Sequence, residues 1–442
     1  MQLPDSFTSR TQEILQHEFP DFLRAMGGVV PTSVRVNNKI SFVPSGEEVA
    51  WCDSGYYLAE RPLFTADPYL HAGVYYVQEA SSMFLQQVLE QFVSKKDVVL
   101  DLSAAPGGKS MLISQFLDSE GFLVSNDIVR SRANILAENL IKWGNSNIFV
   151  GNNTPKDFQR LPSFFDVLVV DAPCSGEGMF RKDAGAIAEW SEQNVRMCSI
   201  RQKDILRDVW HTLKTDGILI YSTCTFNREE NEENVKWIEE TLGAECLTIN
   251  TKNFPEIAVT DKGLRFYPHK TKGEGFFISA LRKTAQSPTP KRKPKNKPNI
   301  KIDSAVLSLR NQLKEPGRWE IVSENSIVSA VDKIHTEKVE LLRNHLKTMH
   351  FGITLAEQKG KDFIPDISLA LSKYLNEAVI RTVEVEIDIA IKYLQKEAII
   401  LPNIEKGYIL LKYQSVPIGW VKNVGNRCNN LYPNEWRIRI RL

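Results

Sequence analysis

Cysteine is scarce and scattered in this chain: six residues, at 52, 174, 198, 224, 246 and 428, with no C-x-x-C pair and no zinc-ligand spacing. The pattern argues against a zinc site of the usual spacing and fits a reducing compartment better than a disulfide framework. Long apolar runs are missing too. None approaches the ~20 residues of a membrane-crossing helix, and Met1-Gln2-Leu3-Pro4-Asp5 has neither a basic nor an apolar leader region. A soluble, cytoplasmic protein is expected. Charge has no dominant sign: the formal net charge is +1, so a polyanionic partner must be met by local patches. There is no internal repeat and no G-x-G-x-x-G dinucleotide loop.

What is present is a strand–helix rhythm. With 442 residues the chain has room for two to four domains. A helix is expected over about Phe7 to Met26, and Pro31–Asn37 alternates apolar and polar residues as a half-buried strand does. Gln78-Glu79-Ala80-Ser81-Ser82-Met83 opens another helix. From Asp97 the alternation becomes regular, with strands at Val98–Leu100, Phe122–Val124, Asn147–Val150, Asp166–Val170, Gly217–Tyr221 and Gly275–Leu281. Arg130–Trp143 reads as a helix with Ala133, Leu136, Ala137, Leu140 and Ile141 on one face. Near-continuous aliphatic strands alternating with helices indicate a doubly wound α/β core, its parallel sheet covered on both faces.

The composition shifts between Arg282 and Pro298. Lys291-Arg292-Lys293-Pro294-Lys295-Asn296-Lys297-Pro298 follows a Ser/Pro/Thr stretch and reads as an exposed linker, either merely solvated or touching RNA. About 140 residues of mixed character follow. The last segment, Trp436-Arg437-Ile438-Arg439-Ile440-Arg441, alternates apolar and basic residues, so a strand there presents three arginines on one face.

Chemistry concentrates at three strand ends. Asp101-Leu102-Ser103-Ala104-Ala105-Pro106-Gly107-Gly108-Lys109 is a small-residue loop between strand and helix, where a ligand can approach the backbone and a helix N-terminus favours negative charge. Asp127, after the next strand, stands where a carboxylate can accept from a ribose diol; it can equally cap the helix that follows. A nucleoside bearing an amino acid, such as S-adenosylmethionine, suits this arrangement. Cys174, in Asp171-Ala172-Pro173-Cys174-Ser175-Gly176, and Cys224, in Ser222-Thr223-Cys224-Thr225, each follow an apolar strand. Single cysteines are most often small buried hydrophobes. Two of them at strand ends beside an aspartate point to covalent chemistry, because ligands of open α/β sheets bind there.

Together with Val34-Arg35-Val36-Asn37, Gln78–Ser82 and Gly178-Met179-Phe180-Arg181-Lys182-Asp183, these segments resemble the signature motifs of the RNA 5-methylcytosine methyltransferases of the Sun/nucleolar-antigen family. The C-terminal Gly419-Trp420 and Asn430-Leu431-Tyr432-Pro433 extend the likeness to members that act on small-subunit ribosomal RNA. The resemblance implies an S-adenosylmethionine-dependent methyltransferase core flanked by a small α+β N-terminal domain and a PUA-like C-terminal domain. The corresponding boundaries are an RNA-recognition-like domain at 1–77, the catalytic domain at 78–283, the basic linker at 284–299, an α+β intermediate domain at 300–380 and the PUA-like domain at 381–442.

By the same resemblance the donor is held by Ser103, Ala104, Ala105, Pro106, Gly107, Gly108, Lys109, Asp127 and Asp171. Asn152 replaces the usual acidic contact to adenine, and Ser103 stands where the family often has cysteine. Cys224 is implied as the nucleophile and Cys174 as the group assisting proton removal and product release. Asp171 holds the cytosine ring, and Lys109 contacts either the donor's carboxylate or the cytosine. RNA, free or in a 30S subunit, is the implied partner, with no metal and a monomeric protein. Spacing alone leaves open which thiol attacks. A non-catalytic ribosome-assembly factor, a methyltransferase for transfer RNA and one for small molecules are the alternatives. Trp420, Tyr432 and Trp436 can stack on bases or pack in a core.

Overall fold

The structure, a computed structural model, describes residues 3–286 and 303–439. The basic run Lys291–Pro298 lies outside the described residues, as do Ile440 and Arg441.

A ten-stranded sheet forms the centre. Its parallel part runs in the spatial order Leu213–Thr223, Phe165–Asp171, Val98–Asp101, Phe122–Asn126 and Ile148–Gly151. Alternate side chains leave each strand on opposite faces. Val99, Leu123, Val150, Val167, Val169, Ile218 and Ile220 join one core cluster. Val98, Leu100, Phe122, Val124, Phe149, Leu168, Val170 and Leu219 join another. Both faces are therefore apolar because both are covered. The helices Leu85–Phe92, Gly108–Phe116 and Arg130–Trp143 cover the first, and Glu192–Val209 and Thr336–His345 the second. Burying one such aliphatic side chain is worth roughly 1.5–3 kcal/mol, so the sheet is held mainly by its two apolar layers.

The sheet is not wholly parallel. Phe276–Lys283, read as one more strand of the series, pairs antiparallel with Leu213–Thr223 and carries the hairpin Ala258–Thr260/Gly263–Phe266 beyond it. At the opposite edge Thr348–Phe351, from beyond the linker, pairs antiparallel with Ile148–Gly151. A segment distant in sequence thus closes an edge that would otherwise expose unpaired backbone groups.

The N-terminal helix divides at Gln16–Glu18 into Asp5–Leu15 and Phe19–Met26. Gln16 has a positive φ of 50° and Pro20 lies in the first turn of the second helix, where its missing N–H costs nothing. Phe7 and Phe22 of this pair pack on Phe180, Trp190 and Phe226. A four-stranded antiparallel sheet follows: Gly46–Val49, Cys52–Leu58, Thr32–Val36 and Tyr75–Val77. The helix expected to open at Gln78 starts later, as a 3-10 turn Ser81–Phe84 leading into Leu85–Phe92, because Glu79 accepts hydrogen bonds from the N–H groups of Ser81 and Ser82.

Two further four-stranded sheets complete the chain. One spans Trp319–Pro365 and the other Thr382–Asn430. The C-terminal arginine strand does not form among the described residues: 437–439 are irregular, with Ile438 buried and Arg437 and Arg439 exposed. Trp420 and Tyr432 are core residues, 3% and 0% exposed, so neither offers a face to a base; Trp436 is half-buried.

Candidate active site

The strand order reverses between Val98–Asp101 and Phe165–Asp171. Chain connections leave these neighbours in opposite directions, which opens a crevice at their carboxyl ends. Asp101 and Asp171 end the two strands.

The small-residue loop lies in this crevice. Ala104 N–H donates to the Asn126 carbonyl, and the Arg132 guanidinium and Asn139 amide donate to the carbonyls of Ala105 and Pro106. Gly107 has φ +116°, closed to most L residues, and a Cβ there would lie 3.2 Å from Leu136 Cδ1. The helix Gly108–Phe116 begins directly after it. Ser103, Ala104, Ala105, Pro106, Gly108, Lys109 and Asp171 line a cavity of about 180 Å³, closed on its other side by Tyr76, Gln78, Glu79 and Ser82. Gly107 shapes the turn and does not line this cavity. Nor do Asp127 and Asn152, which follow the next two strands. Asp127 accepts from the Val129 N–H at 2.9 Å and lies 3.5 Å from Arg132, so it does organise the start of the following helix. The Asn152 amide nitrogen donates to the carbonyls of Asp127 and Ile128.

The reactive groups converge one strand further on. Cys174 Sγ lies 3.1 Å from Cys224 Sγ and 3.4 Å from the Cys224 backbone nitrogen. Lys109 Nζ is 2.8 Å from Asp171 Oδ2 and 5.2 Å from the centre of the Phe276 ring, while Ser222 Oγ donates to Asp171 Oδ1 at 2.7 Å. Cys174, Cys224, Asp171 and Lys109 therefore form one constellation at the rim of the cavity.

Its electrostatics are ordered. The hydrogen bond to Cys224, then burial, then the charge of Cys224 hold the Cys174 thiol well above its ordinary range. Burial works against the Lys109 ammonium, but the charge and hydrogen bond of Asp171, with Asp101 and Cys224, carry its pKa above the ordinary value.

Buried polar groups lock the two cysteine loops together. Glu177 accepts from Trp190 Nε1 at 3.0 Å and from the N–H groups of Phe226 and Asn227 at 2.7 and 2.9 Å. Glu230 accepts from Ser175 N–H, Asn227 Nδ2 and Gln202 Nε2, and burial raises its pKa despite these bonds. A Cβ on Gly178 would stand 2.5 Å from the Gly275 carbonyl oxygen, so the loop tolerates no side chain there.

Sequence reasoning did not single out Glu177, Glu230 or Tyr76 as site residues. Gln78–Ser82 and Val34–Asn37 were visible as motifs without a role. Arg35, 0% exposed, donates to Gln78 Oε1 at 2.8 Å, to Gln115 at 2.9 Å and to the Gly108 carbonyl at 3.3 Å. Asn37 donates to the carbonyls of Gly73 and Trp143, both at 2.8 Å. The N-terminal sheet is thereby fastened to the cavity wall. Among the described residues no cluster of His, Cys, Asp and Glu could hold a metal ion, and no helix is long and apolar enough to cross a membrane.

A doubly wound sheet with its cavity at the switch point, flanked by an N-terminal α+β unit and a C-terminal PUA-like unit, defines the fold of an S-adenosylmethionine-dependent methyltransferase. The family model of the 16S rRNA methyltransferases RsmB/F matches residues 88–282, that of the RsmF N-terminal domain 3–80, and that of the methyltransferase RsmF PUA domain 380–438. The chain is 31% identical to ribosomal RNA small subunit methyltransferase F of Escherichia coli O157:H7, over 98% of this chain and 96% of that one. It is 32% identical to the protein of that name from Vibrio parahaemolyticus, over 98% and 97%. A methyltransferase homologue from Pyrococcus horikoshii is similar in structure with TM-score 0.55 and 27% identity, covering 63% of this chain and 95% of that one. NSun6 of the same organism, solved with the ligand SFG, shares the fold with TM-score 0.53 and 19% identity, covering 64% and 99%. The chain belongs to the RsmB/F family of 16S rRNA methyltransferases and is an RNA methyltransferase.

Proposed function

We propose that this enzyme methylates carbon 5 of a cytosine in small-subunit ribosomal RNA, with S-adenosylmethionine as donor and Cys224 as covalent nucleophile. The observation that carries this reading is the pair of thiols 3.1 Å apart beside the Lys109–Asp171 ion pair. The residues fit the donor: small side chains at Ser103–Gly108 admit it to the backbone, and the Lys109 ammonium suits its carboxylate. Asp127 is 1% exposed, lies outside the cavity and has one oxygen on the Val129 N–H, so its place on the ribose is carried by the family resemblance. Asn152, with its amide hydrogens on two carbonyls, has its side-chain oxygen left for an adenine amino group. When bound, the donor supplies an electrophilic methyl group on sulfonium sulfur.

The chain's own residues supply the rest. Carbon 5 of cytosine is a weak nucleophile. The Cys224 thiolate adds to carbon 6, forming an S–C bond and moving an electron pair through the ring toward carbon 5 and nitrogen 3. Asp171, held by Lys109 and Ser222, receives the ring's nitrogen 3 or amino edge and stabilises the charge that develops there. Once the sulfur charge has entered the ring, Cys174 no longer faces an anion. It gives up its own proton to water, and the thiolate so formed takes the hydrogen from methylated carbon 5. The carbon 5–carbon 6 double bond re-forms and the S–C bond to Cys224 breaks, releasing the product. The base must leave its stack to reach these groups. The family resemblance favours Cys224 over the alternative in which Cys174 attacks, and the upward shift of the Cys174 thiol by the hydrogen bond to Cys224 and by burial agrees with it.

The test is to incubate the enzyme with labelled S-adenosylmethionine and either 30S subunits or naked ribosomal RNA, then map 5-methylcytosine at single-base resolution. A modified cytosine that disappears in Cys224→Ala is the expected result. Donor binding without transfer to either substrate would point to another RNA, and no donor binding would favour an assembly factor.

A further inference from the structure

Stretches of chain that are far apart in sequence meet in a cleft of about 370 Å³ at the C-terminal end of the helix Arg130–Trp143. Asn38 and Lys39 enter it from the N-terminal sheet, Lys314 and Lys373 from beyond the linker, and Ser415 and Pro417 from the C-terminal sheet. The donor loop packs against the same helix further toward its N-terminus, Pro106 accepting from Asn139 and Gly107 facing Leu136. The cleft and the donor cavity share no lining residue.

Its chemistry is one-sided. Lys39 Nζ donates to the carbonyls of Ala72 at 3.0 Å, Leu371 at 2.7 Å, and Lys142. Lys373 Nζ donates to Asn38 Oδ1 at 2.5 Å, and Lys314 Nζ to the Lys373 carbonyl at 3.1 Å. Among the described residues, none of the three ammonium groups has a carboxylate partner. The one acidic residue of the lining, Glu377, is 2.7 Å from Lys412. Burial pushes the Lys373 pKa down to about 7, with Arg35 adding to the effect, and burial then Lys373 drive Lys39 well below its ordinary value. Lys39 and Lys373 are desolvated while Lys314 is exposed; desolvated cations side by side without a counter-charge are destabilising unless an anion joins them. Apolar walls from Ile40, Leu371 and Val416 complete a space with room for a nucleotide unit.

We infer that this three-lysine cleft binds a backbone phosphate of the RNA substrate, and so fixes the register of the RNA from outside the donor cavity. The inference rests on the function proposed above. Phosphate contacts position an RNA without reading its bases, which suits a site lined jointly by the N-terminal part and the parts beyond the linker.

The experiment compares wild type with Lys314→Gln/Lys373→Gln; Lys39 is spared because its three carbonyl bonds hold the fold. Binding of a small-subunit ribosomal RNA fragment is measured across salt concentrations, together with kcat and KM for methyl transfer. The expected result is binding weakened about tenfold and a salt slope reduced by about 1, with KM raised, kcat retained, and thermal unfolding and donor binding unchanged. A second readout needs no variant: acylation of Lys373 at neutral pH, followed by mass spectrometry. Protection by the RNA fragment but not by millimolar inorganic phosphate supports the assignment. Equal protection by phosphate would make it a site for a free anion, and no protection by either would overturn it. RNA binding that ignores both lysines sinks this inference alone. Failure of the wild type to bind the RNA sinks the proposed function with it.

Discussion

The sulfur of Cys174 sits 3.1 Å from that of Cys224, and the hydrogen bond to Cys224, with burial, raises the Cys174 thiol above its ordinary range. The proposed mechanism assigns different tasks to these two residues of the same type. If Cys224 attacks and Cys174 serves release, Cys174→Ala accumulates a covalent protein–RNA adduct that survives denaturing electrophoresis. Cys224→Ala forms no adduct and loses methyl transfer. An adduct in Cys224→Ala but none in Cys174→Ala would reverse the roles.

Lys109 couples the cavity to the thiols, since it lines the cavity, is paired with Asp171, and has its pKa raised in part by Cys224. Lys109→Met is expected to lower kcat/KM by roughly 10²–10³, the scale of one preorganised electrostatic group. It is also expected to slow alkylation of Cys224 by iodoacetamide several-fold at neutral pH, in the absence of RNA and donor. The alkylation rate separates the effect on the thiol from any effect on donor binding. An unchanged rate would confine Lys109 to holding the donor.

The parts of this arrangement that could be read from the chain are those governed by local periodicity. The helix Arg130–Trp143 matches its sequence reading at both ends, because a repeating apolar face and the glycine that follows determine it locally. Val98–Asp101, Phe122–Asn126 and Phe165–Asp171 were legible as aliphatic runs, and the cysteines stood out by their place after such runs. The antiparallel direction of Phe276–Lys283 and the pairing of Thr348–Phe351 with Ile148–Gly151 were not, since strand direction and long-range pairing leave no periodic trace. Glu177 escaped notice for a related reason. Its partners Trp190, Phe226 and Asn227 lie 13 to 50 positions away, and a buried acid reads in sequence like a surface one.

Glu177 yields a stability prediction. It is 2% exposed and satisfies the Trp190 indole and two backbone N–H groups of the Cys224 loop. Glu177→Ala leaves these donors buried without acceptors, and each costs about 1–3 kcal/mol. A loss of roughly 3 kcal/mol or more is expected in urea unfolding, with methyl transfer falling further than the folded fraction because the Cys224 loop loses its anchor. Glu177→Gln keeps one acceptor oxygen and should lose less. Equal stability of the alanine variant and wild type would show that the loops are held otherwise.

Asp101 beneath the donor loop sets a pH dependence whose sign follows from its burial. The carboxyl is 0% exposed, accepts from Ser110 Oγ at 2.6 Å through one oxygen, and leaves the other without a partner. Burial lifts its pKa from the ordinary 3.8 to about 7, against the opposing effects of Ser110 and Lys109. Between those values the folded chain retains a proton that the unfolded chain has released. Folding is therefore favoured at the acid end of the window, and this group's contribution is lost progressively as pH rises toward 7. At 1.36 kcal/mol per pKa unit the ceiling is roughly 4 kcal/mol. Asp101→Asn is neutral at every pH and keeps an acceptor for Ser110, so it removes this slope. In urea unfolding at pH 5 and pH 8, the stability of the asparagine variant relative to wild type should rise with pH. The same difference at both pH values would mean that Asp101 is ionised in the folded enzyme throughout, with its charge balanced by Lys109 across the loop.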